Sequence, residues 1–148
     1  MKVRNYYGEI VNNLFELGFP IYDKGCRYYA NIVNIVANYI SSVGNDTDKL
    51  LWIIYELKNP NSEFYEELAI LNHMKPDDLH KLLQNLIDNI DYDNMNEALY
   101  KKLFCRIYED IDYGEYAFVI ASSILNKNVL DTYINENKPL IRHLAKDE

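Results

Sequence analysis

Apolar positions recur at helical spacing along nearly the whole chain. Tyr7, Ile10, Val11, Leu14 and Leu17 form the first stripe. Gly18-Phe19-Pro20 ends it, because glycine suits a helix C-terminus and proline cannot continue one. Asp23 to Val43 predicts a second helix with Tyr29, Ile32, Val33, Val36 and Ile40 on one face, closed by Gly44-Asn45-Asp46. Asp46 or Thr47 can cap a third, whose face is Leu50, Leu51, Ile54 and Tyr55. Asn59-Pro60-Asn61 breaks that pattern, and Ser62 can cap a short segment carrying Phe64, Leu68 and Leu71. Pro76 suits a first helical turn, and Asp77 and Asp78 match the positive end of the helix dipole. Leu79, Leu82, Leu83, Leu86, Ile87 and Ile90 then keep strict helical spacing.

Asn94 with Glu97 resembles a capping box and predicts a helix through Ala98, Leu99, Leu103 and Ile107. Asp112 with Glu115 predicts another start. From Tyr116 to Leu125 that helix is apolar on nearly every face, which places it in the middle of a bundle. A last helical stretch, Val129 to Ala145, is split by Pro139. The expected fold is therefore all-α: one domain over 1–148, a globular bundle of eight or nine short helices around a buried central helix.

The chain has 148 residues, 49% of them apolar and 26% charged, which excludes a disordered tail and is long enough to bury a real core. Its formal net charge of -8 disfavours binding to nucleic-acid phosphates or to anionic membrane surfaces. No apolar run is long enough to span a bilayer, and the N-terminus has no signal-peptide core. Two cysteines, Cys26 and Cys105, are too few for a disulfide framework and fit a reducing, intracellular setting.

Signatures of catalysis are poor. The sequence has no phosphate-cradling glycine loop, no zinc-type cysteine pairs and no nucleophile elbow. His73 and His80 could share a helix face, but Pro76 between them breaks it; His143 stands alone. Lys24 and Arg27 near Cys26 could activate a thiol, yet no base is placed beside it; a packing thiol is the simpler reading. Glu66-Glu67 and Asp77-Asp78 are adjacent along the chain, so neither pair faces itself across a helix. No enzyme activity, cofactor or metal is expected.

The segment Leu103-Phe104-Cys105-Arg106-Ile107-Tyr108-Glu109-Asp110-Ile111-Asp112-Tyr113-Gly114-Glu115 resembles the first homology motif of the B-cell lymphoma 2 family of apoptosis regulators. That motif ends in Asn-Trp-Gly-Arg and opens the family's buried fifth helix. Tyr133-Ile134-Asn135-Glu136-Asn137 resembles the second motif, Trp-Ile-Gln-Glu-Asn. Two departures stand out. Glu115 reverses the charge of the motif arginine, which in the family pairs with an aspartate of the bound death-motif helix. The interval from Tyr113 to Tyr133 is also too short for the two long helices that separate the motifs. A second register, with the first motif near Ile90-Asp91-Tyr92-Asp93-Asn94, fits a helical hairpin better on length. It makes Asn94 to Asp110 the fifth helix and is preferred on that ground. Virus-encoded relatives often keep the fold and lose the motifs, and the degeneracy here is similar to theirs.

The resemblance implies a B-cell lymphoma 2-like bundle and an anti-apoptotic role. Pro-apoptotic host proteins would be bound through their amphipathic death-motif helix, in the host cytoplasm or at the mitochondrial surface. Helix-in-groove recognition needs apolar anchors filling pockets along a surface slot. The expected ligand-helix groove is Tyr29, Val33, Val36, Ile40, Leu82, Leu86, Met95 and Leu99. The alternative is an immunomodulatory or homodimerising protein of the same fold acting through another surface, to which abundant tyrosines would lend themselves.

Overall fold

The computed structural model describes residues 4–43, 46–104 and 111–125. Every regular element among them is helical: α1 (Tyr7–Glu16), α2 (Lys24–Val43), α3 (Thr47–Lys58), α4 (Glu63–Leu71), α5 (Pro76–Asp88), α6 (Glu97–Phe104) and α7 (Tyr113–Ile124). The expected stretch from Val129 to Ala145 lies outside the described residues.

Local chemistry sets the helix starts. The side chains of Asp46, Ser62 and Asp112 accept hydrogen bonds from the backbone N–H groups of Lys49, Tyr65 and Glu115, and Pro76 occupies a first-turn position of α5. The start of α6 differs from expectation. Asn96, not Asn94, accepts from the Leu99 N–H at 3.1 Å, while the Asn94 amide reaches the Asp91 carboxylate at 2.6 Å. Asn96 wins because its own N–H and side-chain amide are held by Glu16, at 2.8 and 2.7 Å.

Two helices end in the same way with different residues. After α1, Gly18 adopts φ 86°; its N–H bonds to Phe15 O and that of Phe19 to Leu14 O. After α4, His73 adopts φ 57°; its N–H bonds to Ile70 O and that of Met74 to Ala69 O. Both are left-handed caps that satisfy the last carbonyls of a helix. Glycine takes this conformation freely and histidine does not. The variant His73→Gly is expected to stabilise the fold by about 1 kcal/mol, seen as a higher urea midpoint with unchanged slope.

α7 is the centre. Every residue from Tyr113 to Ser122 is buried, and the helix packs on α1, α2, α3, α5 and α6. The long α2 is its main neighbour and buries Tyr29, Ile32, Val33, Val36 and Ile40 along one face. Phe19 links the α1–α2 turn to this core: its ring stacks on Tyr29 and meets Tyr116 edge-on, with centroids 5.7 and 5.1 Å apart. Gly114 sits where α7 crosses α3, and a Cβ there would lie 3.1 Å from the backbone carbon and oxygen of Leu57. The helix beginning near Asn94, preferred above as the central one, is instead α6, which buries Tyr100, Leu103 and Phe104 and leaves Lys101 and Lys102 exposed.

Candidate functional site

Of the eight residues of the expected groove, six are buried among the described residues. Tyr29, Val33, Val36 and Ile40 on α2 are fully enclosed between helices, and Leu86 and Met95 are buried. Leu82 and Leu99 alone keep partial exposure, and Leu82 packs beside Gly25. The α2 stripe faces the central helix, so in this arrangement it is core.

Four helices converge on the N-terminus of α7. The Tyr29 hydroxyl of α2 donates to the Tyr113 carbonyl. The Tyr113 hydroxyl lies 2.6 Å from Nδ1 of His80 on α5 and 3.0 Å from the hydroxyl of Tyr65 on α4. Lys58 of α3 reaches Glu115 Oε1 at 3.1 Å and Asp112 Oδ2 at 3.9 Å. Glu115, the residue that departs from the resembled motif, is buried and held by this lysine, so the charge reversal has a local partner. Burial pushes the Asp112 carboxyl above its ordinary range, against the lowering effect of the Glu115 N–H and of Lys58.

The same burial disfavours phenolate. Tyr29, Tyr65 and Tyr113 are all raised above 10.0, by desolvation first. Cys26 is buried, and its thiol is pushed up to about 11 by burial and then by the charge of Asp23, which disfavours the thiolate. All four groups have folded values above their unfolded ones. Their contribution to stability is complete below pH 9 and is lost as pH rises, because the unfolded chain releases these protons first. The unfolding midpoint should therefore fall between about pH 9 and pH 11. Phenolate absorbance should show these tyrosines ionising only with unfolding.

The other candidate side chains stay apart. His73 is exposed in its cap while His80 points into the bundle; Glu66, Glu67, Asp77 and Asp78 are exposed. Among the described residues no three His, Cys, Asp or Glu side chains group in a way that could hold a metal ion. No helix among them is long and apolar enough to cross a membrane.

Among the described residues, two open clefts of similar size flank the bundle, beside a smaller one of about 400 Å³ between the α3–α4 turn and the start of α5. One, of about 560 Å³, is polar and is lined by Gln84, Ile87, Asp88, Tyr92, Ile111 and Asp112. The other, of about 570 Å³, lies between the α1–α2 turn and the loop after α5. Its apolar wall is Phe15, Phe19, Pro20, Ile21 and Tyr22, and its opposite lip carries Asn89, Asp91 and Asn94. Phe15 is 59% exposed and Tyr22 98%. Neither was among the expected site residues. The available signal was that Phe15 falls off the Ile10, Leu14 and Leu17 stripe, so core packing does not account for it.

Comparison with protein-family models, with curated proteins and with solved structures finds no match for this chain. What the fold defines is a class: a compact all-helical protein built around one enclosed helix.

Proposed function

We propose that this chain is a non-enzymatic interaction protein, a helical bundle acting through a surface outside the expected groove. The observation that carries this reading is the exchange of inside and outside: six of the eight expected groove residues are buried, while Phe15, Tyr22, Tyr55, Ile70 and Leu71 stand in solvent. Of these, Phe15 and Tyr22 line one cleft, and large apolar side chains brought together at a surface favour contact with another protein. In the resembled family such a bundle regulates host responses; an immunomodulatory partner or a homodimer are the occupants in view.

A second reading keeps the anti-apoptotic role, in which pro-death amphipathic helices are sequestered. It is favoured by one observation: the Asp112-Tyr113-Gly114-Glu115 segment opens the enclosed helix, and its glycine stands at a close helix crossing. This is the place the resembled first motif occupies in its family. It agrees with the register at Tyr113 rather than the one at Tyr92.

Titration with labelled death-motif peptides separates the two. The other-surface reading expects that any dissociation constant below about 10 μM, a binding free energy of about -7 kcal/mol, does not depend on Leu82 and Leu99. A tighter constant that is lost in Leu82→Ser and Leu99→Ser variants would overturn it in favour of helix capture, because these two groove residues retain open surface.

A further inference from the structure

Resting on the reading that the working surface lies outside the expected groove, we propose that the cleft at the α1–α2 turn docks a cationic amphipathic helix of a partner protein. The apolar wall would take the helix's hydrophobic anchors, and the acidic lip would meet its lysines or arginines.

The wall is contiguous rather than scattered. Phe15 ends the exposed side of α1, and Pro20, Ile21 and Tyr22 follow within one turn closed by the bond from the Asp23 N–H to Pro20 O. The floor of the cleft is anchored, since Phe19 is packed on Tyr29 and Tyr116 of the core.

The two walls are already fixed to each other. The Asp91 N–H donates to Gly18 O at 2.8 Å, and the Asn96 N–H to Glu16 O at 2.8 Å. A cleft so clasped needs no ordering when a ligand enters, which favours affinity.

Charge selects the occupant. The charged residues lining the cleft are Glu16 and Asp91, both acidic, and Asp93 is exposed on the same loop as Asp91. Glu16 and Asp91 each give one oxygen to an asparagine amide, of Asn96 and Asn94, and each has a second oxygen that can face a cation. A second copy of the chain brings the same acidic lip and a formal charge of -8 against its own kind. An anionic membrane is repelled for the same reason. A helix with an apolar stripe flanked by basic residues fits both walls.

The probe is a designed amphipathic peptide with leucines on one face and lysines on the other, beside a twin with glutamates for the lysines. Calorimetric titration should show the lysine peptide binding more than about tenfold tighter than its twin. Phe15→Ser and Tyr22→Ser should each weaken it by about fivefold or more, and Asp91→Asn by about two- to threefold with a flatter salt dependence. Tyr55→Ser and Ile70→Ser, distant in the chain and also exposed, should leave it within about twofold. Circular dichroism of each variant checks that the bundle is intact. Equal binding of the twin, or an unchanged constant in Tyr22→Ser, overturns the assignment. If Tyr55→Ser or Ile70→Ser weakens binding instead, this cleft is the wrong surface but the wider reading survives. If Leu82→Ser and Leu99→Ser alone weaken it, both fall. A dimer of the free protein that Tyr22→Ser dissolves would make the occupant a second copy and also overturn the proposal.

Discussion

Gly18→Ala is expected to cost about 3 kcal/mol or more of folding stability. Two independent causes act at this position. The backbone holds φ 86°, where an L-residue with a Cβ is disfavoured by about 1–2 kcal/mol. The Cβ would also stand 2.5 Å from the carbonyl oxygen of Asp91, a backbone atom that cannot swing aside as a side chain would. Relief requires the loop after α5 to move off α1, and that breaks the bond from the Asp91 N–H to Gly18 O. Urea denaturation should show a large drop in midpoint. Gly8→Ala is the control: nothing lies within 4 Å of its Cβ position, it sits inside α1, and alanine there should be stabilising by up to about 1 kcal/mol.

Glu115→Arg, which restores the arginine of the resembled motif, is expected to destabilise the bundle by about 3 kcal/mol rather than to improve ligand binding. Glu115 is 8% exposed and pairs with Lys58 at 3.1 Å. The exchange removes the carboxylate and sets a second cation against the first. Lys58 keeps 37% side-chain exposure, so the loss belongs at the lower end of the range of about 3–5 kcal/mol for a broken buried pair. Exchanging both charges, with Lys58→Glu added, should recover at least about 1 kcal/mol in a double-mutant cycle. An arginine variant as stable as the parent would show that the lysine contact contributes nothing.

The parts of this fold that were legible in the sequence are those decided within one or two turns. Capping by Asp46, Ser62 and Asp112 needs only a side chain and an N–H three residues on, and Pro76 acts at its own position. The central place of α7 was also legible, because Tyr116-Ala117-Phe118-Val119-Ile120-Ala121 leaves no polar face to turn toward water. What failed was whatever depends on a distant partner. Asn94 and Asn96 are the same residue type, and Glu16, far away in the chain, decides which one caps α6. The choice of central register rested on the spacing between motifs, while packing followed the local apolar run.

The expected groove stripe is ambiguous for a related reason. A stripe such as Tyr29, Val33, Val36 and Ile40 reads the same whether it faces a neighbouring helix or a ligand, and here α7 takes it. Likewise Glu115 reads as half of a capping pair; its ion pair with Lys58 appears only when α3 and α7 meet. His73 carries no sequence signal for a left-handed backbone, since glycine or asparagine is the usual choice there.

The enclosed helix is also the last of the seven described helices in chain order, and this bears on how the protein is made. During synthesis the outer helices leave the ribosome before the rod that they are built to wrap. Until Tyr113–Ile124 emerges, the faces carrying Leu14, Val33 and Ile53 have no lasting cover, and a chain paused there is a target for chaperones and for aggregation. Folding waits for contacts that join the two ends of this region, so the bundle should close in one late step rather than grow helix by helix.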